Sequence, residues 1–90
     1  MRSYEYKRQG GKLIGVSFNY TNKIFSGIKI YGDFFIFPEE EIERLEKTIE
    51  GKTYSEISKS IEDFFSSGIR FYGITREDLL ELFKGAISEK

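Results

Sequence analysis

The sequence predicts an α+β domain, a three- to four-stranded, mainly antiparallel sheet followed by three helices packed on one of its faces. Three observations predict it. Up to Phe37 the apolar residues recur with the period of a strand; beyond it they recur with the period of a helix; and Pro38 stands at the change. Strands grouped before helices point to α+β, because the helices must then cover one face of a sheet already formed.

Tyr4 to Lys7 reads as a first strand. Lys12 to Tyr20 alternates, with Ile14, Val16, Phe18 and Tyr20 on one face and Gly15, Ser17 and Asn19 on the other. Thr21-Asn22 suits a hairpin turn, since Asn tolerates positive φ. The next strand, Lys23 to Tyr31, places Ile24, Ile28 and Ile30 on one face, and a further strand, Phe34 to Phe37, follows Gly32.

Pro38 ends the sheet and fits the first turn of a helix, where its missing N–H costs nothing. Glu39, Glu40 and Glu41 then lie where the helix dipole favours negative charge. Ile42, Leu45 and Ile49 form the apolar stripe, and Gly51 stops the helix. A second helix opens with Thr53-Tyr54-Ser55-Glu56, a capping box. Its stripe is Ile57, Ile61, Phe64 and Phe65, and Gly68 closes it. A third opens with Thr75-Arg76-Glu77-Asp78, with Leu79, Leu80, Phe83 and Ile87 as its buried face.

Ninety residues make one domain, 1–90. Nine Phe and six Tyr supply its core, each buried Phe contributing on the order of 1.5–3 kcal/mol. The formal charge is -1, from 14 basic and 15 acidic residues, so no strong field draws in nucleic acid or a membrane surface. The small basic cluster Lys7, Arg8 and Lys12 beside Tyr4 and Tyr6 does not outweigh the acidic first helix, and no nucleic-acid or membrane partner is expected. No apolar run approaches the roughly 20 residues that span a bilayer, and Met1 to Gly10 is not a signal peptide, so a cytoplasmic location is expected by default.

The chain has no Cys and no His. That excludes disulfides, thiolate metal sites, cysteine nucleophiles and cysteine-bound iron–sulfur clusters, and it removes the commonest general base. Gly51-Lys52-Thr53 resembles the end of a phosphate-binding loop, but Glu46 stands where that loop needs glycine and a helix precedes it, so a helix stop and a cap are the better reading. Gly10-Gly11-Lys12 fails the same test: Tyr6 and Leu13 hold the wrong positions and a strand follows. Glu39, Glu40, Glu41, Glu43 and Glu46 read as the solvated face of one helix, with Glu43 spaced to pair with Lys47.

Gly32-Asp33-Phe34-Phe35 is not explained by core packing alone. Adjacent strand residues point to opposite faces, so Phe34 and Phe35 do not share a side. One faces the helices; the other is either buried under the N-terminal strand or left for a partner.

These residues resemble a known family. Gly10-Gly11-Lys12-Leu13-Ile14-x-Val16, then Ile28-x-Ile30-x-Gly32-Asp33-Phe34-Phe35-x-x-Pro38-Glu39-Glu40, is similar to the C-terminal accessory domain of lipoate–protein ligases, and Gly73-Ile74-Thr75-x-Glu77-Asp78-Leu79 resembles that domain's last helix. Ser66 to Tyr72 receives no element and matches no part of the pattern. A chain that starts at Met1 without a catalytic domain before it resembles the split, archaeal-type form.

The resemblance implies a non-catalytic small subunit that forms a heterodimer with a large catalytic chain and supports ATP-dependent adenylation of lipoate. It implies no catalytic residue and no cofactor held by this chain alone. ATP, Mg and lipoate would lie at the partner's site, and lipoyl-acceptor domains would be met only indirectly. Gly11, Lys12, Gly32, Asp33, Phe34 and Phe35 are the candidates for partner binding or for capping the partner's active site, with Lys12 as an electrostatic contributor. The alternative is a free-standing α+β protein-interaction or small-ligand regulatory domain.

Overall fold

The computed structural model describes residues 1–88. Strands β1 (Arg2–Lys7), β2 (Leu13–Thr21) and β3 (Ile24–Gly32) form an antiparallel sheet in that order. Helices α1 (Glu41–Ile49), α2 (Tyr54–Phe65) and α3 (Arg76–Ser88) follow. Helix α1 lies along β3, α3 crosses β1 and β2, and α2 packs between the two helices. Ile14, Val16 and Phe18 of β2 meet Leu45, Ile49, Ile57, Ile61, Leu79, Leu82 and Phe83 in one core. The α+β class and the three-stranded sheet with helices on one face are therefore as the sequence predicts.

The fourth strand is not in that sheet. Strand β4 (Phe35–Phe37) pairs instead with β5 (Arg70–Tyr72), a strand the sequence reading left unassigned, in a separate two-stranded ribbon. Three residues carry too little periodicity to reveal a strand, and this pairing joins segments more than thirty positions apart.

The β2–β3 turn falls one residue later than expected, on Asn22 and Lys23, both at positive φ (54° and 66°). That is the geometry of a two-residue hairpin loop. Strand β3 also changes phase. Ser17 pairs with Lys29 but Asn19 pairs with Ser26, so Gly27 and Ile28 together oppose the Phe18 position. Gly27, at φ 59°, is the extra residue of a β-bulge. Phe25 therefore points into the core and is fully buried, whereas Ile24 is 41% exposed. Strict alternation puts Ile24 inside; the bulge reverses that, while Ile28 and Ile30 stay buried as expected.

The bulge exposes backbone donors, and α1 with the Glu50 that follows it supplies acceptors for β3. Glu50 accepts from the N–H of Gly27 (2.9 Å) and of Ile28 (3.4 Å), and Glu46 accepts from the N–H of Ile30 at 2.7 Å. Glu46 is thus buried and does not belong to a solvated face. A carboxylate at the edge of a sheet satisfies donors that no further strand takes up. The expected Glu43–Lys47 pair is absent among the described residues; Arg44 donates to Glu41 at 2.6 Å instead.

Pro38 precedes α1 rather than entering its first turn, and its carbonyl accepts from Glu41 N–H at 3.0 Å. Gly51 (φ 75°) stops α1. Thr53 and Glu56 form the expected reciprocal cap of α2: Glu56 N–H donates to Thr53 Oγ1 (3.4 Å) and Thr53 N–H donates to Glu56 Oε1 (3.0 Å). The Thr75–Asp78 pair repeats this at α3, at 3.1 and 3.0 Å. On α3, Leu82 and Ala86 are buried beside Leu79 and Phe83, while Leu80 and Ile87 lie at the margin. The missing side chain of Gly85 admits the Tyr4 ring from β1.

Candidate functional site

The β1–β2 turn brings Lys12 to the end of the sheet from which β4 departs. Gly11 N–H donates to Arg8 O at 2.7 Å and closes that turn. Asp33 N–H donates to Leu13 O at 3.0 Å and fastens the exit of β3 against the start of β2. Gly32 between them has φ 147°, and a Cβ there would press on Leu13 O and lie 2.8 Å from Ile14 Cα. Only glycine accepts both the angle and the approach. Gly73 (φ 81°) does the same for the chain leaving β5: its added Cβ would sit 3.1 Å from both Asp33 O and Lys12 Cγ.

The result is a cleft of about 420 Å³ lined by Lys12, Gly32, Asp33, Phe34, Phe35, Tyr72 and Gly73. The fold brings five of the six sequence candidates to one place. Gly11 remains in the adjoining turn, outside the lining. Phe34, just before β4, is half-buried against the core, and Phe35 is 66% exposed, so the two rings differ in burial although both line the cleft. The Asp33 carboxylate makes no hydrogen bond among the described residues, and only its backbone N–H serves the turn. Lys12 likewise has no ion-pair partner among them.

Tyr72 and Gly73 are lining residues that sequence reasoning missed. The signal available was the β-prone Arg70-Phe71-Tyr72 run ending in glycine, too short to stand out. A second missed feature anchors the adjoining glycine turn. Arg8 Nε donates to the buried Asp78 carboxylate at 3.0 Å, tying the glycine turn to the start of α3. This hydrogen bond, and then the charge of Asp78, raise the Arg8 pKa above the ordinary guanidinium value. Arg8 is thereby paired with an acidic group of the fold while its side chain stays about half exposed.

A larger cleft of about 510 Å³ lies between β3 and α1, lined by Met1, Ile28, Lys29, Glu43, Glu46, Lys47 and Glu50 among others. Its Glu46 and Glu50 carboxylates are committed to β3 backbone N–H groups and hold α1 against the sheet. No group of three His, Cys, Asp or Glu residues among those described is placed to hold a metal ion. The Lys12 cleft offers a single carboxylate, and its donor set does not fit Mg, which takes several oxygen ligands. No described helix is long and apolar enough to cross a membrane.

Residues 3–83 match the family described as bacterial lipoate protein ligase C-terminus. The chain belongs to this family. Within it, the chain is similar to "Lipoate-protein ligase A subunit 2" of Thermoplasma acidophilum, 34% identical over 84 residues, which is 93% of this chain and 88% of that one. It also superposes on a chain from the structural analysis of an archaeal lipoylation system, a bi-partite lipoate protein ligase and its E2 lipoyl domain from Thermoplasma acidophilum. The TM-score there is 0.81 at 34% identity, covering 91% of this chain and 92% of the other. The lipoate protein ligase C-terminal fold thus accounts for nearly the whole chain, and the Gly32-Asp33-Phe34-Phe35 string falls within the matched residues.

Proposed function

We propose that this protein is the non-catalytic small subunit of a two-chain lipoate–protein ligase, required with a large catalytic chain for ATP-dependent adenylation of lipoate. The observation that carries the reading is its end-to-end similarity, in sequence and in fold, to a chain named as subunit 2 of such a ligase. The composition supports it: with neither imidazole nor thiol, the chain lacks the side chains that most often act as base or nucleophile.

In adenylation the lipoate carboxylate oxygen attacks the α-phosphorus of ATP, a mixed anhydride forms, and pyrophosphate leaves. A lysine amine on an acceptor domain then attacks the carbonyl and AMP leaves. ATP, Mg and lipoate belong, in this reading, to the catalytic chain. The small subunit contributes shape and shielding. Excluding water from the neighbourhood of the phosphates strengthens every fixed dipole and charge acting on them. Holding a mobile loop of the catalytic chain closed has the same effect. Lys12, on the cleft wall and free of an ion-pair partner among the described residues, adds positive potential on that side. In this reading the work is done in the cytoplasm.

The test is lipoate-dependent exchange of labelled pyrophosphate into ATP, measured with the catalytic chain alone and with this chain added. Exchange that depends on the second chain is expected. Equal exchange without it overturns the proposal.

A further inference from the structure

Ribbon β4–β5 has two unlike faces. Ile36 and Phe71 point inward; Ile36 is buried and Phe71 meets Phe65 edge-on, with ring centroids 4.6 Å apart. Phe35, Phe37, Arg70 and Tyr72 alternate with them and point outward, Phe35 directly opposite Tyr72 and Phe37 opposite Arg70. Phe35, Phe37 and Tyr72 are 66%, 47% and 55% exposed. Of the eight large apolar side chains exposed among the described residues, these three lie on the outer face of the ribbon, and the inward Phe71 is 37% exposed. A two-stranded ribbon is marginal by itself, and among the described residues nothing covers its outer face.

We propose that this outer face, together with the Lys12–Asp33 cleft beside it, is where the catalytic chain docks, with Phe35 and Tyr72 as the anchors. The inference rests on the subunit reading above. The chemistry sets the kind of surface that fits: an apolar recess rimmed by carboxylates. Aromatic rings flanked by arginine are the side chains that dominate protein–protein interfaces. Arg70 and Lys12 have no carboxylate partner among the described residues, so both cations are available to the rim. Asp33 stands as the single acidic group in the cleft.

Charge argues against a second copy of this chain as the occupant. A twofold contact sets a patch against itself, bringing Arg70 and Lys12 of each copy together with only Asp33 to offset them. The other broad surfaces fit less well. The uncovered face of the main sheet mixes polar Ser3, Glu5, Asn19 and Lys29 with Leu13, Ile24 and Tyr31, each less exposed than Phe35, Phe37 or Tyr72, and the cleft beside α1 has its Glu46 and Glu50 carboxylates committed to β3.

The experiment is calorimetric titration of the purified catalytic chain from the same organism with the wild-type protein and with Phe35→Ala, Tyr72→Ala and Ile24→Ala. Ile24 is the control: it is exposed and apolar but lies at the opposite end of β3, roughly 25 Å away at about 3.3 Å per strand residue. Each ribbon variant is expected to weaken Kd by about tenfold or more, as truncated anchors do, while Ile24→Ala leaves it unchanged. Thermal melts of all three variants check that the fold persists. Wild-type binding with Kd unmoved by both ribbon variants overturns the docking surface and leaves the subunit reading standing. Absence of wild-type binding overturns both. Sedimentation of this chain alone covers the remaining case: if Phe35→Ala dissolves a homodimer while Kd for the catalytic chain stays fixed, the face serves self-association and the proposal is wrong.

Discussion

Arg8 and Asp78, 70 positions apart, are joined by two hydrogen bonds, Nε to Oδ1 at 3.0 Å and Nη2 to Oδ2 at 3.4 Å. The same carboxylate accepts from Thr75 N–H at 3.0 Å, so one side chain both caps α3 and pins the glycine turn that carries Lys12. Asp78→Ala should cost about 1 kcal/mol for the lost cap alone. Asp78→Asn keeps an acceptor for Thr75 and should lose less. Arg8→Ala should have a smaller effect still, because its side chain is half exposed and the pair is screened on that side. Urea unfolding of the three variants gives the order; an Arg8 variant as damaging as Asp78→Ala would contradict it.

Glu46 makes a different prediction, because its partner is buried. Glu46→Ala strands the Ile30 N–H, and leaving such a donor unpaired costs about 1–3 kcal/mol. Glu46→Gln retains an oxygen acceptor and should recover most of that. A chemical-denaturation midpoint for Glu46→Ala matching wild type would mean that water or a neighbour replaces the carboxylate.

The Gly27 bulge predicts an inversion between neighbours. Phe25→Ala should destabilise by about 3–5 kcal/mol, since it empties a fully buried ring site. Ile24→Ala should stay within about 0.5 kcal/mol, as exposed substitutions do. Equal losses at the two positions would mean that β3 keeps a single phase throughout.

Gly32 predicts a backbone clash. Gly32→Ala sets a Cβ against Leu13 O and Ile14 Cα, neither of which can swing aside, at a φ of 147° that L residues rarely adopt. A loss of about 2 kcal/mol or more is expected, because strained backbone and overpacking act together. The melting temperature measures it.

The α2 cap gives a pH dependence. Hydrogen bonds from the Thr53 backbone and side chain hold the Glu56 pKa below its ordinary 4.5. A carboxylate with a depressed folded pKa adds stability that is present above 4.5 and is lost as pH falls through the lower, folded value. Glu56→Gln should therefore flatten this part of the acid limb of a stability-versus-pH curve. Thr53→Ala should lower stability by about 1 kcal/mol near neutral pH. An acid limb unchanged in Glu56→Gln would remove Glu56 as its source.

The sequence by itself determined the class, the three helices, the caps of α2 and α3, and the inward residues of β2. Each of these is set by near neighbours: alternation decides which face Ile14, Val16 and Phe18 occupy, and Thr53 reaches Glu56 within one helical turn. It also named five of the cleft's seven lining residues, which the fold brings together because Lys12 and Asp33 flank strands that pair through a short hairpin. Tertiary structure alone decided the rest. Strand β5 exists only because β4 lies beside it, Phe25 replaces Ile24 in the core only because Gly27 bulges against Phe18, and Asp78 finds Arg8 across nearly the whole chain. None of these pairings has a local period to announce it. Each is fixed by which distant backbone donors and apolar faces remain to be satisfied once the local elements have formed.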